Sequence, residues 1–184
     1  MHALFPYAKR SFVNQLFDLY PASDYNSTFF QRARWFGDFI INCPTYYMAT
    51  AASDWGNPVY KLTFAAGTEL HGAIGPFTET IALNGKHFCR LSIILLLTEV
   101  LGTSNNVTLA NIMRDWYVSF ATELNPNAAS YTDIEHPYWP TYANEQNSNF
   151  SIMSVTYTTL NVKQDPDASA KCDFFHGQSY VVRN

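Results

Sequence analysis

The chain has 184 residues with 11 Lys and Arg against 15 Asp and Glu, a formal charge of −4, and it is 16% aromatic but only 14% charged. That length and apolar content fit a single globular domain with a sizeable core and speak against a disordered chain. No Lys/Arg run offers the basic footprint of a nucleic-acid binder or a polybasic membrane anchor, and the longest apolar stretch, Ile93 to Leu97, is far short of the ~20 residues of a membrane span.

The N-terminal Met1-His2-Ala3-Leu4-Phe5-Pro6-Tyr7 has no basic region leading into an apolar segment and a small-residue cleavage site, so no secretion signal is expected in this chain. A first helix is expected around Ala8 to Tyr20, where Phe12, Leu16, Leu19 and Tyr20 recur at helical spacing and Pro21 ends the run. A longer helix follows. Thr28 and Gln31 form a capping-box pair, and Phe29, Phe30, Ala33, Phe36, Phe39, Ile40 and Cys43 fall on one broad face expected to be the buried one. Pro44 should kink this helix, since proline lacks the backbone donor.

After Asn57-Pro58, the β-rich stretch Val59 to Phe64 reads as a strand, and its exit, Ala65 to Gly72, reads as a loop. From Thr108 to Leu124, apolar residues at 109, 112, 113, 116, 117, 120 and 124 match an amphipathic helix, which Asn125-Pro126-Asn127 stops. Tyr138 to Tyr142 reads as a packed turn, and Ser151 to Leu160 alternates as one strand. This order of helices and strands implies an α/β fold.

Of five histidines, none has a second His or Cys at ligand spacing, so no metal and no cofactor are expected. His71 stands apart because it follows the end of a predicted strand, with Gly67 before it and Gly72 and Gly75 after it. Reacting groups of open α/β sheets gather at the carboxyl ends of strands. On this evidence His71 is either a catalytic base or an ordinary loop histidine. Sequons at Asn26-Ser27-Thr28, Asn106-Val107-Thr108 and Asn149-Phe150-Ser151 are either glycan acceptors or chance triplets. Cys43, Cys89 and Cys172 lack C-x-x-C spacing, which leaves one disulfide plus one thiol, or free thiols throughout.

Four stretches together carry a resemblance: Asp38 to Pro44 with Asn57 to Tyr60, Glu69-Leu70-His71-Gly72, Met113 to Phe120 with Asn125 to Asn127, and Trp139-Pro140-Thr141-Tyr142. In this collinear order the chain resembles the C-terminal part of type-B carboxylesterases and lipases, most closely their fungal branch. The resemblance implies an α/β-hydrolase fold, here as an incomplete, mostly parallel sheet flanked by helices across residues 1–184. It implies hydrolysis of small-molecule or lipid esters by a serine, an acid and a histidine, with His71 as the triad histidine. It implies a Cys43–Cys172 disulfide and an extracellular protein.

No G-x-S-x-G nucleophile elbow occurs in the sequence; the nearest approach, Gly177-Gln178-Ser179-Tyr180-Val181, lacks the second glycine and follows the histidine. The family's acid is also absent, and Glu69, two positions from His71, reads as a solvated loop charge. The chain is therefore expected to be inert alone as an esterase, either a fragment or pseudoenzyme of a hydrolase or a non-catalytic binding or adhesion module of the same fold. Lacking the central strands, it should leave sheet edges open. Residues 86–102, including Cys89, depart from the family pattern and read either as a retained intron translated in frame or as a genuine insertion.

Overall fold

The computed structural model describes residues 5, 7–64, 107–142, 150–156 and 158–178, together with the strand pairing of 79–84. The chain divides into two units, one formed by Met1–Tyr46 with Pro166–Asn184 and the other by Tyr47–Asp165.

In the first unit, helix α1 spans Arg10–Leu19 and helix α2 spans Thr28–Gly37. The α1 stripe behaves as its spacing predicts, with Phe12 and Leu16 buried and Tyr20 closing the turn after it. These pack with Phe5 and Trp35, and the rings of Phe174 and Phe175 cover the cluster, Phe12 stacking on Phe174 at 5.1 Å. Ser27, one residue ahead of the expected cap, is the N-cap of α2, its hydroxyl accepting from the Phe30 N–H at 3.4 Å.

The buried face of α2 is also not the expected one. Gln31, Trp35, Asp38 and Asn42 turn inward, whereas Phe29, Phe30, Phe36 and Ile40 are exposed; of the predicted stripe, Cys43 is buried and Phe39 packs on Phe5 and Phe175. The reason is polar satisfaction. Asp38 accepts from Tyr20 Oη at 2.8 Å, Asn42 Nδ2 at 2.8 Å and Arg34 Nε at 3.0 Å, and Gln31 Nε2 donates to the Tyr20 carbonyl at 2.7 Å. Side chains tied together in this way can be buried without losing hydrogen bonds.

A π-helical turn, Asp38–Asn42, joins α2 to helix α3, Cys43–Asp54. Proline does not break the helix. The Cys43 N–H bonds back five residues to Asp38, and Thr45 Oγ1 donates to the Ile41 carbonyl at 2.6 Å, so the register widens ahead of Pro44 while the helix continues. Cys43 is disulfide-bonded to Cys172 of helix α5, Ala170–His176, with their Cα atoms 5.0 Å apart, the pair that the resemblance implies.

In the second unit, strand β1 spans Val59–Phe64, β2 Glu79–Asn84, helix α4 Val107–Glu123, β3 Ser151–Val155 and β4 Leu160–Gln164. The sheet order is β2-β1-β3-β4. At its centre β1 runs parallel to β3, Leu62 facing Met153 and Phe64 facing Val155, while β2 on β1 and β4 on β3 are antiparallel. The expected parallel character thus resides in the central pair. The stretch expected to be one strand is a hairpin, turned by Thr156 Oγ1 accepting from the N–H groups of Thr158 and Thr159. Among the described residues the sheet is open, with β2 and β4 at its edges and β1 inside it.

All six β1 residues are buried, as expected of a strand covered on both faces. On one face Tyr60, Leu62 and Phe64 meet the predicted α4 stripe of Leu109, Ile112, Met113, Trp116, Tyr117 and Phe120, with Trp139, Met153 and Val155 completing the core. Helix α4 ends at Glu123, and the next residue, Leu124, has a φ of 57° that places a side-chain-bearing residue in the left-handed region before Asn125-Pro126.

Candidate functional site

His71 lies outside the described residues, as do Glu69, Gly72, Cys89, Asn106, Asn149 and the segment 86–102. The structure describes the strand that precedes His71 in sequence, and what fixes that strand. Asn127, just past the end of α4, accepts from the Trp139 N–H at 2.8 Å and donates to the Trp139 carbonyl at 2.7 Å. The indole so held is fully buried, lies 6.1 Å from the Tyr60 ring and donates from Nε1 to the Lys61 carbonyl at 3.2 Å. Tyr142, at the end of the same packed turn, donates its N–H to the Val59 carbonyl at 2.7 Å. The predicted turn therefore works as a brace across β1.

On the other face of β1 an ion pair does the same. Lys61 Nζ contacts Asp165 Oδ2, both side chains fully buried, and Tyr142 Oη donates to that oxygen at 2.6 Å. A buried ammonium and carboxylate are tolerated only when paired and hydrogen-bonded, and here the phenol supplies an additional bond. Lys61 comes from β1 and Asp165 from the end of β4, so the pair clamps two strands that are not neighbours in the sheet.

A second buried carboxylate, Asp115 on α4, accepts from Thr132 Oγ1 at 2.6 Å, Ser130 Oγ at 3.1 Å and the N–H groups of Tyr131 and Thr132 at 3.2 Å each. Burial pushes its pKa up, but these four donors outweigh it and hold the carboxyl below the usual range. His136 Nε2 stands 4.0 Å from Asp115 Oδ2, and its ring lies 5.6 Å from that of Trp116.

Ser130, Asp115 and His136 have the residue types of a hydrolytic triad but not its roles. In a triad the imidazole bridges serine and acid, accepting from one and donating to the other. Here Ser130 Oγ bonds Asp115 itself, and His136 is beyond hydrogen-bond reach of that acid. The arrangement anchors segment 130–132 on α4 and activates no hydroxyl. Among the described residues no group of His, Cys, Asp and Glu could hold a metal ion.

Sequence reasoning singled out neither the Lys61–Asp165 pair nor the Asp115 network. Asp115 was signalled faintly, since a carboxylate three residues after Ile112 and next to Trp116 lies on the apolar side of α4 and must find donors there. Nothing local marks Lys61, because its partner is 104 positions away.

No helix among the described residues is long and apolar enough to cross a membrane. Neither the curated proteins nor the solved structures yield a match to this chain. The model of the carboxylesterase family matches residues 4–175. That span covers the first-unit helices with the Cys43–Cys172 bridge, the β1 strand, α4 with its Asn-Pro-Asn stop and the Trp139–Tyr142 brace, and on it the chain belongs to the carboxylesterase family.

Proposed function

We propose that this chain is the histidine-bearing C-terminal portion of an extracellular carboxylic ester hydrolase of the type-B, fungal kind, with small-molecule or lipid esters as substrates. His71, seven positions after the end of β1 in sequence, is the triad base: it takes the proton of a serine hydroxyl and returns it to the leaving alcohol. The attacking serine and the acid come from sequence other than this, and the chain alone is inert. What carries the reading is a carboxylesterase-family match over residues 4–175 in a sequence with no G-x-S-x-G. The clamps on β1 support it, since a base must be delivered from a rigid strand to reach its partner.

The test is ester turnover by the purified full chain and by the same chain preceded by the upstream sequence of its gene. No turnover of acetyl or butyryl esters and no labelling by a fluorophosphonate are expected from the chain alone. The extended protein should hydrolyse both esters and lose activity with His71→Ala. Turnover by the chain alone, unchanged by His71→Ala, overturns the reading. An extended protein that is inactive and lacks G-x-S-x-G favours the second reading, a binding or adhesion module of the same fold, which the missing nucleophile also suits. Transcript sequencing across codons 80 to 110 separates a retained intron at 86–102 from a family insertion.

A further inference from the structure

Helix α2 begins with an exposed aromatic ledge. Phe29 and Phe30 are 65% and 42% exposed, and their rings meet edge to face at 5.5 Å. Directly ahead of them, Asn26-Ser27-Thr28 forms an acceptor sequon on an exposed bend. The flanking Tyr25 and Ser27 have extended backbone, with φ of −130° and −161°. Asn26 is exposed, and the helix cap is made by Ser27 through its own hydroxyl, so neither Asn26 nor the Thr28 hydroxyl is needed for the cap. The same unit holds the Cys43–Cys172 disulfide, a bond that persists in oxidising compartments, where N-glycan transfer also takes place.

We infer that Asn26 carries an N-linked glycan whose first sugars lie over Phe29 and Phe30 and shield them from water. In the transfer, Asn26 Nδ2 forms a bond to C1 of the sugar. The C1–O bond to a polyprenyl-diphosphate donor breaks, the lipid diphosphate leaves, and the amide loses one proton to the transferase. Phe29 and Phe30 follow Asn26 by only three and four positions, which sets the rings beside the first sugars. The chain then hides apolar surface without a protein partner. The inference rests on the extracellular reading above.

The full chain is translated behind a cleavable secretory leader into microsomes, with protease protection reporting translocation. Trypsin releases Ser11–Arg32, a peptide with no other sequon. The expected result is a mass gain of one core glycan on this peptide, reversed by peptide N-glycosidase, lost with Asn26→Gln or Thr28→Ala and kept with Thr28→Ser. A translocated chain unmodified at Asn26 overturns the site while leaving the extracellular reading intact. A leader-driven chain modified at Asn26, but unmodified and intracellular when made in its own host, overturns both. For the shield, enzymatic deglycosylation of the native chain should raise binding of an apolar dye, and Phe29→Ser with Phe30→Ser should remove that rise. Unchanged dye binding after deglycosylation overturns the shielding.

Discussion

Two buried acids show how position decides what a charge does. Asp165 meets Lys61 in a fully buried pair, and removing either partner strands the other charge in the core. Asp165→Leu should therefore cost about 3–5 kcal/mol, and the double replacement Lys61→Met with Asp165→Leu much less than the sum of Lys61→Met and Asp165→Leu alone, a difference that urea titration of the wild type, the two singles and the double measures. Asp115 depends on hydroxyl and amide donors. Because its folded-state pKa is depressed, its contribution is present above the ordinary value of 3.8 and is lost as pH falls through the folded value. Acid unfolding followed by fluorescence should show this loss, and Thr132→Val, which removes the shortest of the four hydrogen bonds, should flatten the dependence below pH 3.8 and lower stability at neutral pH.

At the scale of elements, α1, α2 and α4 were legible but not always their faces, and α5 was not read at all. The α1 and α4 stripes are buried much as their spacing indicates, because each meets an apolar surface supplied by distant chain; the exception is Leu124, which lies past the end of α4 and is exposed. In α2 and the π-helical turn after it the most apolar face is exposed, and the face with Gln31, Asp38 and Asn42 is buried around Trp35. Periodicity reports which face is apolar and is silent on whether polar residues opposite will satisfy one another. The consequence can be measured on glycan-free chain. Trp35→Ala should cost about 3–5 kcal/mol, whereas Phe29→Ser should change stability by less than about 0.5 kcal/mol, with thermal unfolding as the readout. The Ser151–Leu160 strand became a hairpin for a related reason: alternation continues through a tight turn, and only the Thr156 side chain marks where the chain reverses.

For the molecule as a whole, one covalent link spans most of the chain. The Cys43–Cys172 bridge closes a loop of 129 positions, and in the chain-entropy model such closure stabilises by about 4–5 kcal/mol. Reduction, or Cys43→Ala with Cys172→Ala, should lower the urea midpoint accordingly, while Cys89→Ala, which leaves this bridge intact, should leave it in place.

Local pattern was enough to reveal the order and class of most elements, the strand leading to His71, the packed turn at Tyr138–Tyr142 and the family, because periodicity, turn residues and short motifs are local properties. It could not determine which face of α2 is buried, which acids are paired, or that β2 covers β1. Those depend on groups brought together from distant parts of the chain, as with Lys61 and Asp165 or Tyr20 and Asp38, and burial there is decided by whether each polar atom finds a partner once the chain has folded.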